Sequence, residues 1–271
     1  MVVCDDVEDP PSLNPYQIFS EKTLTLLQQT LEGLVRFGPS GEIEPALAER
    51  WERVDDLTMR FHLRRGVHFH NDELFHASSV KFSLEKYVAP ETRYPGIAFV
   101  DTIASVRIID EYTVDLVTNR PDGLLLNRLA AWAHIVPRSY YERIGDEGFA
   151  RHPVGTGPFK FESWEKGERV VFSANRSYWM TGIPRLDGLV FRFMPSGRQV
   201  EALLSGELDV LLHLPGTRTM DVQSSTSAYV LKKPTYYTVV GNFNLSREPL
   251  SKKEVRRALN MAIDRKALVR Y

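Results

Sequence analysis

The sequence predicts an α/β fold of the mixed α+β kind, with strands and helices interleaved but not strictly alternating. Three observations predict it. Apolar residues recur at helical spacing at Leu24, Leu27, Leu31 and Leu34, and again at Val80, Leu84, Tyr87 and Val88. Between those runs the period changes to two: Met59, Phe61 and Leu63 point one way, Thr58, Arg60, His62 and Arg64 the other. No repeat of fixed period is visible, so neither a repeat array nor a regular βαβ succession is expected.

The elements follow in order. Val2-Val3-Cys4 is a short apolar strand, and the proline-rich run from Asp9 to Pro15 must extend or turn. Ser20 stands as an N-cap before the first helix, and Gly33 and Gly38 close that segment. After the strand at 58–64, Arg65-Gly66 turns the chain, and Val67 and Phe69 alternate with His68 and His70 in a second strand. Ser78 or Ser79 caps the next helix. A loop over 89–98 leads to a hairpin of Ser105–Ile109 and Tyr112–Thr118, then to a helix near Gly123–Ala133 and a short one from Ser139. Val154-Gly155-Thr156-Gly157-Pro158 is the clearest boundary signal in the middle of the chain. Strands follow at Phe159–Trp164, Val170–Ala174 and Leu189–Met194, and a helix from Gly197 is stopped by Gly206. Glu207–Leu212 and Thr235–Leu245 are further strands, and Ser251-Lys252-Lys253-Glu254 is a capping box opening a last helix.

Composition excludes several classes. The 271 residues are 43% hydrophobic and 25% charged with a net charge of −1, which gives no attraction to nucleic acid or an anionic membrane. No apolar run reaches the roughly 18 residues of a membrane span. Cys4 has no intrachain partner for a disulfide and is more often a small buried hydrophobe than a reactive thiol. The three residues before it are too few for a signal peptide, so the chain is either cytosolic or has had an export signal removed.

Catalytic motifs are missing: there is no G-x-S-x-G, G-x-x-x-x-G-K, H-E-x-x-H or C-x-x-C, and no enzyme is expected. Gly155-Thr156-Gly157-Pro158 lacks a following lysine and leads into a strand, so it is a crossover and not a phosphate loop. His68 and His70 share one face of the expected strand and could help hold a metal with Asp72 or Glu73 as an oxygen ligand, but H-x-H alone is a weak signal and the polar face of a surface hairpin is the better explanation. The acidic run Asp5, Asp6, Glu8, Asp9 could face a cationic ligand group, and Tyr94, Tyr236 and Tyr237 could line a pocket for an amphipathic one. The residues alone describe a non-enzymatic protein with a possible cleft.

The stretch Gly41–Lys86 is similar to the entry segment of the extracytoplasmic solute-binding proteins of ABC importers, in the peptide/nickel-binding family. The similar pieces are GEIEPALAERWE, MRFHLRRGVHFHND and SSVKFSLEK. Further segments agree in order: Ser12-Leu13-Asn14-Pro15 with Glu32-Gly33-Leu34, then Gly155–Phe159 with Asn175–Trp179, then Ser205–Asp209, then Asn244 with Val255–Asp264. Asn14 stands where the family usually has aspartate, and His70-Asn71-Asp72 replaces H-D-G.

The resemblance implies a periplasmic-binding-protein-like lobe with a smaller α+β domain inserted, and a second lobe missing. Domain I would comprise 1–40 and 154–245, the inserted domain 41–153, and the beginning of the missing lobe 246–271. It also implies an ABC importer's substrate-binding component, periplasmic or extracellular and membrane-associated. Such a protein would capture a peptide or similar solute between lobes and deliver it to permease subunits, with no cofactor. Ligand-binding candidates by region are Glu8, Asp9 and Pro10, Tyr94, His213 and Tyr236. Alternatives are a regulator's ligand-sensing domain, or a nickel-binding member of the same family.

Overall fold

The structure is a computed structural model that describes residues 1–4, 9–232 and 240–269. In chain order the elements are β1 (Val2–Cys4), α1 (Glu21–Thr30), β2 (Val35–Phe37), β3 (Ile43–Pro45), β4 (Ala48–Asp55), β5 (Thr58–Leu63) and α2 (Ala77–Val88). Then come β6 (Ile103–Asp110), β7 (Thr113–Thr118), α3 (Leu125–Trp132), α4 (Arg138–Arg151), β8 (Phe159–Glu165), β9 (Arg169–Ala174) and β10 (Gly188–Arg192). The chain continues through α5 (Ser196–Leu204), β11 (Val210–Leu211), α6 (Thr219–Gln223), α7 (Lys253–Ala262) and α8 (Arg265–Val269). The mixed α/β class is as the sequence predicts.

The chain divides into two compact units, Met1–His213 and Leu214–Tyr271. Three sheets build the first. One has five strands in the order β11-β1-β10-β9-β8, one has four in the order β4-β5-β7-β6, and β2 and β3 form a two-stranded ribbon. β1 inserts parallel between β10 and β11, pairing Val2 with Val190 and Val3 with Val210, so the amino-terminal strand is held by residues nearly 200 positions away. The four-stranded sheet is antiparallel throughout and takes all its strands from 48–118.

Period-two alternation places Met59, Phe61 and Leu63 in the core, where α2 packs Val80, Leu84 and Tyr87 over the same sheet. On the opposite face Arg60 forms a two-bond ion pair with Asp115 at 2.7 and 2.9 Å, which holds the Asp115 carboxyl below its usual range. A second core joins α1 to the five-stranded sheet through Leu26, Phe159, Val170, Phe172 and Phe191. Asn14 explains a departure from the family pattern. Its amide nitrogen donates to the Tyr141 hydroxyl (2.7 Å) and the Asp146 carbonyl (3.1 Å) while its oxygen accepts from Tyr16 N–H (3.0 Å). An ionised aspartate has no N–H to donate there.

Several expectations need correction. Val67–His70 is not a strand; only an isolated bridge joins His68 to Leu74. The cap of α2 is His76, whose Nδ1 accepts from Ser78 N–H at 3.4 Å, and Ser79 is already inside the helix. Residues 90–92 and 97–99 of the expected loop are 3₁₀ turns. The short helix expected near Ser139 runs for 14 residues, with a kink at Gly145 where φ is 67°. The Glu207–Leu212 strand shrinks to two residues. Residues 235–239 of the Thr235–Leu245 strand lie outside the described residues, and 240–244 are irregular.

In the second unit the capping box does not form. Lys252 takes the N-cap position of α7 and the Ser251 hydroxyl donates to Glu248 instead. No side chain of α7 is buried, and Leu259, Met261 and Ile263 are exposed. Among the described residues no helix is long and apolar enough to cross a membrane.

Candidate functional site

Three of the segments that carry the resemblance meet at one carboxylate. Glu32 lies just past the C-cap of α1, and its main chain bridges to Ile135, whose N–H donates to the Glu32 carbonyl at 2.8 Å. Its side chain accepts three bonds: from the Tyr178 hydroxyl (2.6 Å) on Oε1, and from Thr156 Oγ1 (2.8 Å) and the Trp179 indole N–H (3.0 Å) on Oε2. Burial holds this carboxyl above its usual range, although the three donors and Arg36 favour the ionised form. The Arg64 guanidinium stacks on Trp179 at 4.2 Å.

The glycines of the crossover explain the close approach. Gly157 N–H donates to the Thr30 carbonyl at 2.9 Å, and a Cβ on Gly157 would lie 2.6 Å from the Gln29 carbonyl oxygen. A Cβ on Gly155 would overlap the Thr30 carbonyl itself. This junction ties the end of α1 to the entry of β8 and is structural in every contact.

His70 belongs to the junction too. Its N–H donates to the Gly155 carbonyl (2.8 Å) and Nε2 lies 2.9 Å from the Gly157 carbonyl. A carbonyl only accepts, so Nε2 carries the proton. Burial lowers the His70 pKa to about 4, which keeps the ring neutral, and Nδ1 is enclosed. His68 is exposed. The metal reading of this pair therefore fails: one nitrogen of His70 is committed and the other is shut in. Among the described residues no group of three or more His, Cys, Asp or Glu could hold a metal ion.

The remaining sequence candidates fall in different places. Glu8 and Tyr236 lie outside the described residues, as does Tyr237. Asp9 accepts from the Trp164 indole N–H (3.0 Å) and from Gly167 N–H, so its carboxylate fastens the amino-terminal segment to β8. Pro10 is buried. A surface cavity of about 560 Å³ opens beside this segment, lined by Pro11, Ser12, Phe161, Trp164 and Lys166 among others. His213 is exposed at the end of the first unit. Tyr94 is 4% exposed, and burial pushes its phenol above the usual range.

Tyr94 is the inner edge of an aromatic face that opens to solvent. Phe19 stacks on Trp132 with centroids 4.2 Å apart and on Phe99 at 4.8 Å, and Phe99 is 5.7 Å from Trp132. Tyr94 meets Phe19 edge-on at 6.4 Å and is backed by Tyr87 at 4.9 Å. Phe19 precedes α1, Phe99 closes the 97–99 turn, and Trp132 is the last residue of α3. Gly96 permits the assembly: a Cβ there would overlap Phe19 Cδ2 and lie 2.8 Å from Tyr94 Cζ. Phe19, Phe99 and neighbouring Ile97 are 36%, 42% and 43% exposed. Together they present an apolar aromatic patch to water.

Against this geometry stand the known proteins. Residues 42–271 match the family described as bacterial extracellular solute-binding proteins, family 5. The chain belongs to that family. The glutathione-binding protein GsiB of Salmonella choleraesuis is 29% identical over 263 residues, covering 96% of this chain and 51% of the relative. The family 5 chain thus spans about half the length of such relatives. Among solved structures, AgaA from A. tumefaciens R10 in complex with agropinic acid superposes with a TM-score of 0.87 at 29% identity, covering 99% of this chain and 54% of that one. NikZ from Campylobacter jejuni in complex with Ni(L-His) gives a TM-score of 0.88 at 25% identity, again with 99% and 54% covered. These likenesses also establish the periplasmic-binding-protein-like fold.

Sequence reasoning named Tyr94 but missed Phe19, Phe99 and Trp132. They come from three separated segments with no shared period, and each read singly is an ordinary apolar residue. The one local signal is Gly96, set between Tyr94 and Phe99 in a segment that otherwise lacks helix or strand patterning.

Proposed function

We propose that this family 5 chain is the substrate-binding component of an ABC importer, and that the face of Phe19, Tyr94, Phe99 and Trp132 is one wall of its solute site. The observation that carries the reading is the exposure of Phe19 and Phe99, packed against half-buried Trp132 over a buried tyrosine. Such a wall offers van der Waals contact and π-faces to an amphipathic solute, a peptide or a similar small molecule. Glutathione, agropinic acid and Ni(L-His), the ligands named for the three relatives, are small solutes.

In this reading residues 41–153, which hold the whole four-stranded sheet, form a domain inserted between 1–40 and 154–245. Residues 246–271 begin a second lobe. Ligand binding favours the closed arrangement of two lobes because only that arrangement contacts the solute from both sides. The protein works outside the cytoplasmic membrane, delivers its solute to permease subunits and performs no chemistry on it.

Calorimetry tests this with glutathione and a set of short peptides, on the 271-residue chain and on a chain extended through the rest of the family's length. The extended chain is expected to bind one of them, and the 271 residues alone weakly or not at all. Phe19→Ala with Trp132→Ala in the extended chain is expected to weaken binding at least about tenfold. Equal affinity of the two lengths, or an unaffected double variant, overturns the reading.

A further inference from the structure

The aromatic face is assembled from pieces that do not share an element, so something must hold the 97–99 turn against the end of α3. Trp132 lies one helical turn beyond Arg128, on the same side of α3. Asp101 and Thr102 follow Phe99 almost at once. Arg128 Nη1 is 3.3 Å from Asp122 Oδ2 and 3.8 Å from Asp101 Oδ1, which ties the helix to both loops.

The partners of that guanidinium are themselves fixed. The Asp122 side chain is 5% exposed. Thr102 Oγ1 donates to its Oδ2 (2.8 Å) and Leu124 N–H to its Oδ1 (2.9 Å). Asp101 is held from outside by Arg120 at 2.9 Å, its carbonyl accepts from Asn119 Nδ2 (2.7 Å), and Asn119 N–H donates to the Thr102 carbonyl (2.9 Å). Two carboxylates, one nearly enclosed, thus stand at ion-pair distance from one guanidinium whose buried Nη1 makes no hydrogen bond. A charge so enclosed is costly to leave without its partner.

We infer that the Arg128–Asp122–Asp101 cluster positions the aromatic face: it sets Trp132 against Phe99 and Phe19 in the arrangement the solute meets. None of the three acts as a ligand contact in this inference, which rests on the reading of that face as the solute wall. The competing account is that Leu125 and Leu129, both buried, fix α3 unaided.

Fluorine NMR of the 271-residue chain labelled with 5-fluorotryptophan separates the two. Trp132→Phe identifies the Trp132 line. In Arg128→Met that line is expected to shift or broaden while those of Trp51, Trp164 and Trp179 stay in place. Arg128→Lys, which keeps the charge, is expected to displace it less. An unchanged Trp132 line in Arg128→Met overturns the inference. Should that variant not fold, Asp101→Asn is the deciding one, since it removes a single half-exposed charge: a displaced line supports the inference and an unmoved one overturns it. The readout needs no solute. An unaffected Phe19→Ala with Trp132→Ala double variant in the binding test above breaks the solute-wall reading and leaves this result standing.

Discussion

The junction at Glu32 and the aromatic face at Phe19 lie in the same compact unit and are built in opposite ways. The junction is polar, enclosed and closed on itself: each donor aimed at Glu32 meets an acceptor and each crossover glycine meets a backbone carbonyl. The face is apolar, open and unfinished, with Phe19 and Phe99 more than a third exposed. The junction draws together four of the segments that carry the family resemblance, and the face holds none. Motif density here marks where backbone geometry leaves no choice of residue.

The largest expected effect is at the crossover. Gly155→Ala puts a methyl group onto the Thr30 carbonyl, which cannot retreat without moving the end of α1, and 2.8 Å from Leu31 Cδ2. A loss of about 3 kcal/mol is expected in urea denaturation; a loss under ~1 kcal/mol shows that the junction yields, and the contrast with the face collapses.

Next is Glu32→Ala. It leaves the Tyr178, Trp179 and Thr156 donors without their acceptor, and about 2–3 kcal/mol is expected. Glu32→Gln is milder, about 1 kcal/mol, because the amide oxygen can still accept from Thr156 and Trp179 while the Tyr178 hydroxyl turns to accept from the amide nitrogen. Thermal melts of the pair check the order, and equal losses contradict it. The smallest effect belongs to the face: Phe99→Ala, at a position 42% exposed, is expected to change stability by less than about 1 kcal/mol in the same melts. A loss as large as that of Glu32→Ala makes the face part of the core.

Much of the fold was legible because burial follows period. The strand at 58–63, the hairpin at 103–118 and the helix over Leu84 and Tyr87 each reveal a buried side by spacing alone. Caps were less legible. His76 took the role expected of a serine because its ring nitrogen reaches the Ser78 N–H, and Ser251 lost its role because α7 begins one residue later, with Lys252 at the N-cap. His68 and His70 looked paired only while the segment was taken for a strand; without one, alternation says nothing about which nitrogens share a side. Glu32 was visible as a motif residue, but its task was not, since its partners lie far along the chain. The aromatic face was least legible of all. Tertiary folding brings its rings together, and no local pattern foreshadows that.

The Glu32 bonds have a kinetic consequence. They join positions 124, 146 and 147 residues apart, whereas the four-stranded sheet closes within 48–118. Joining distant segments costs more chain entropy than joining near ones, so the local sheet is the natural nucleus and the carboxylate the late latch. A latch closed after the rate-limiting barrier leaves the folding rate nearly untouched when it is removed, and shortens the lifetime of the folded chain.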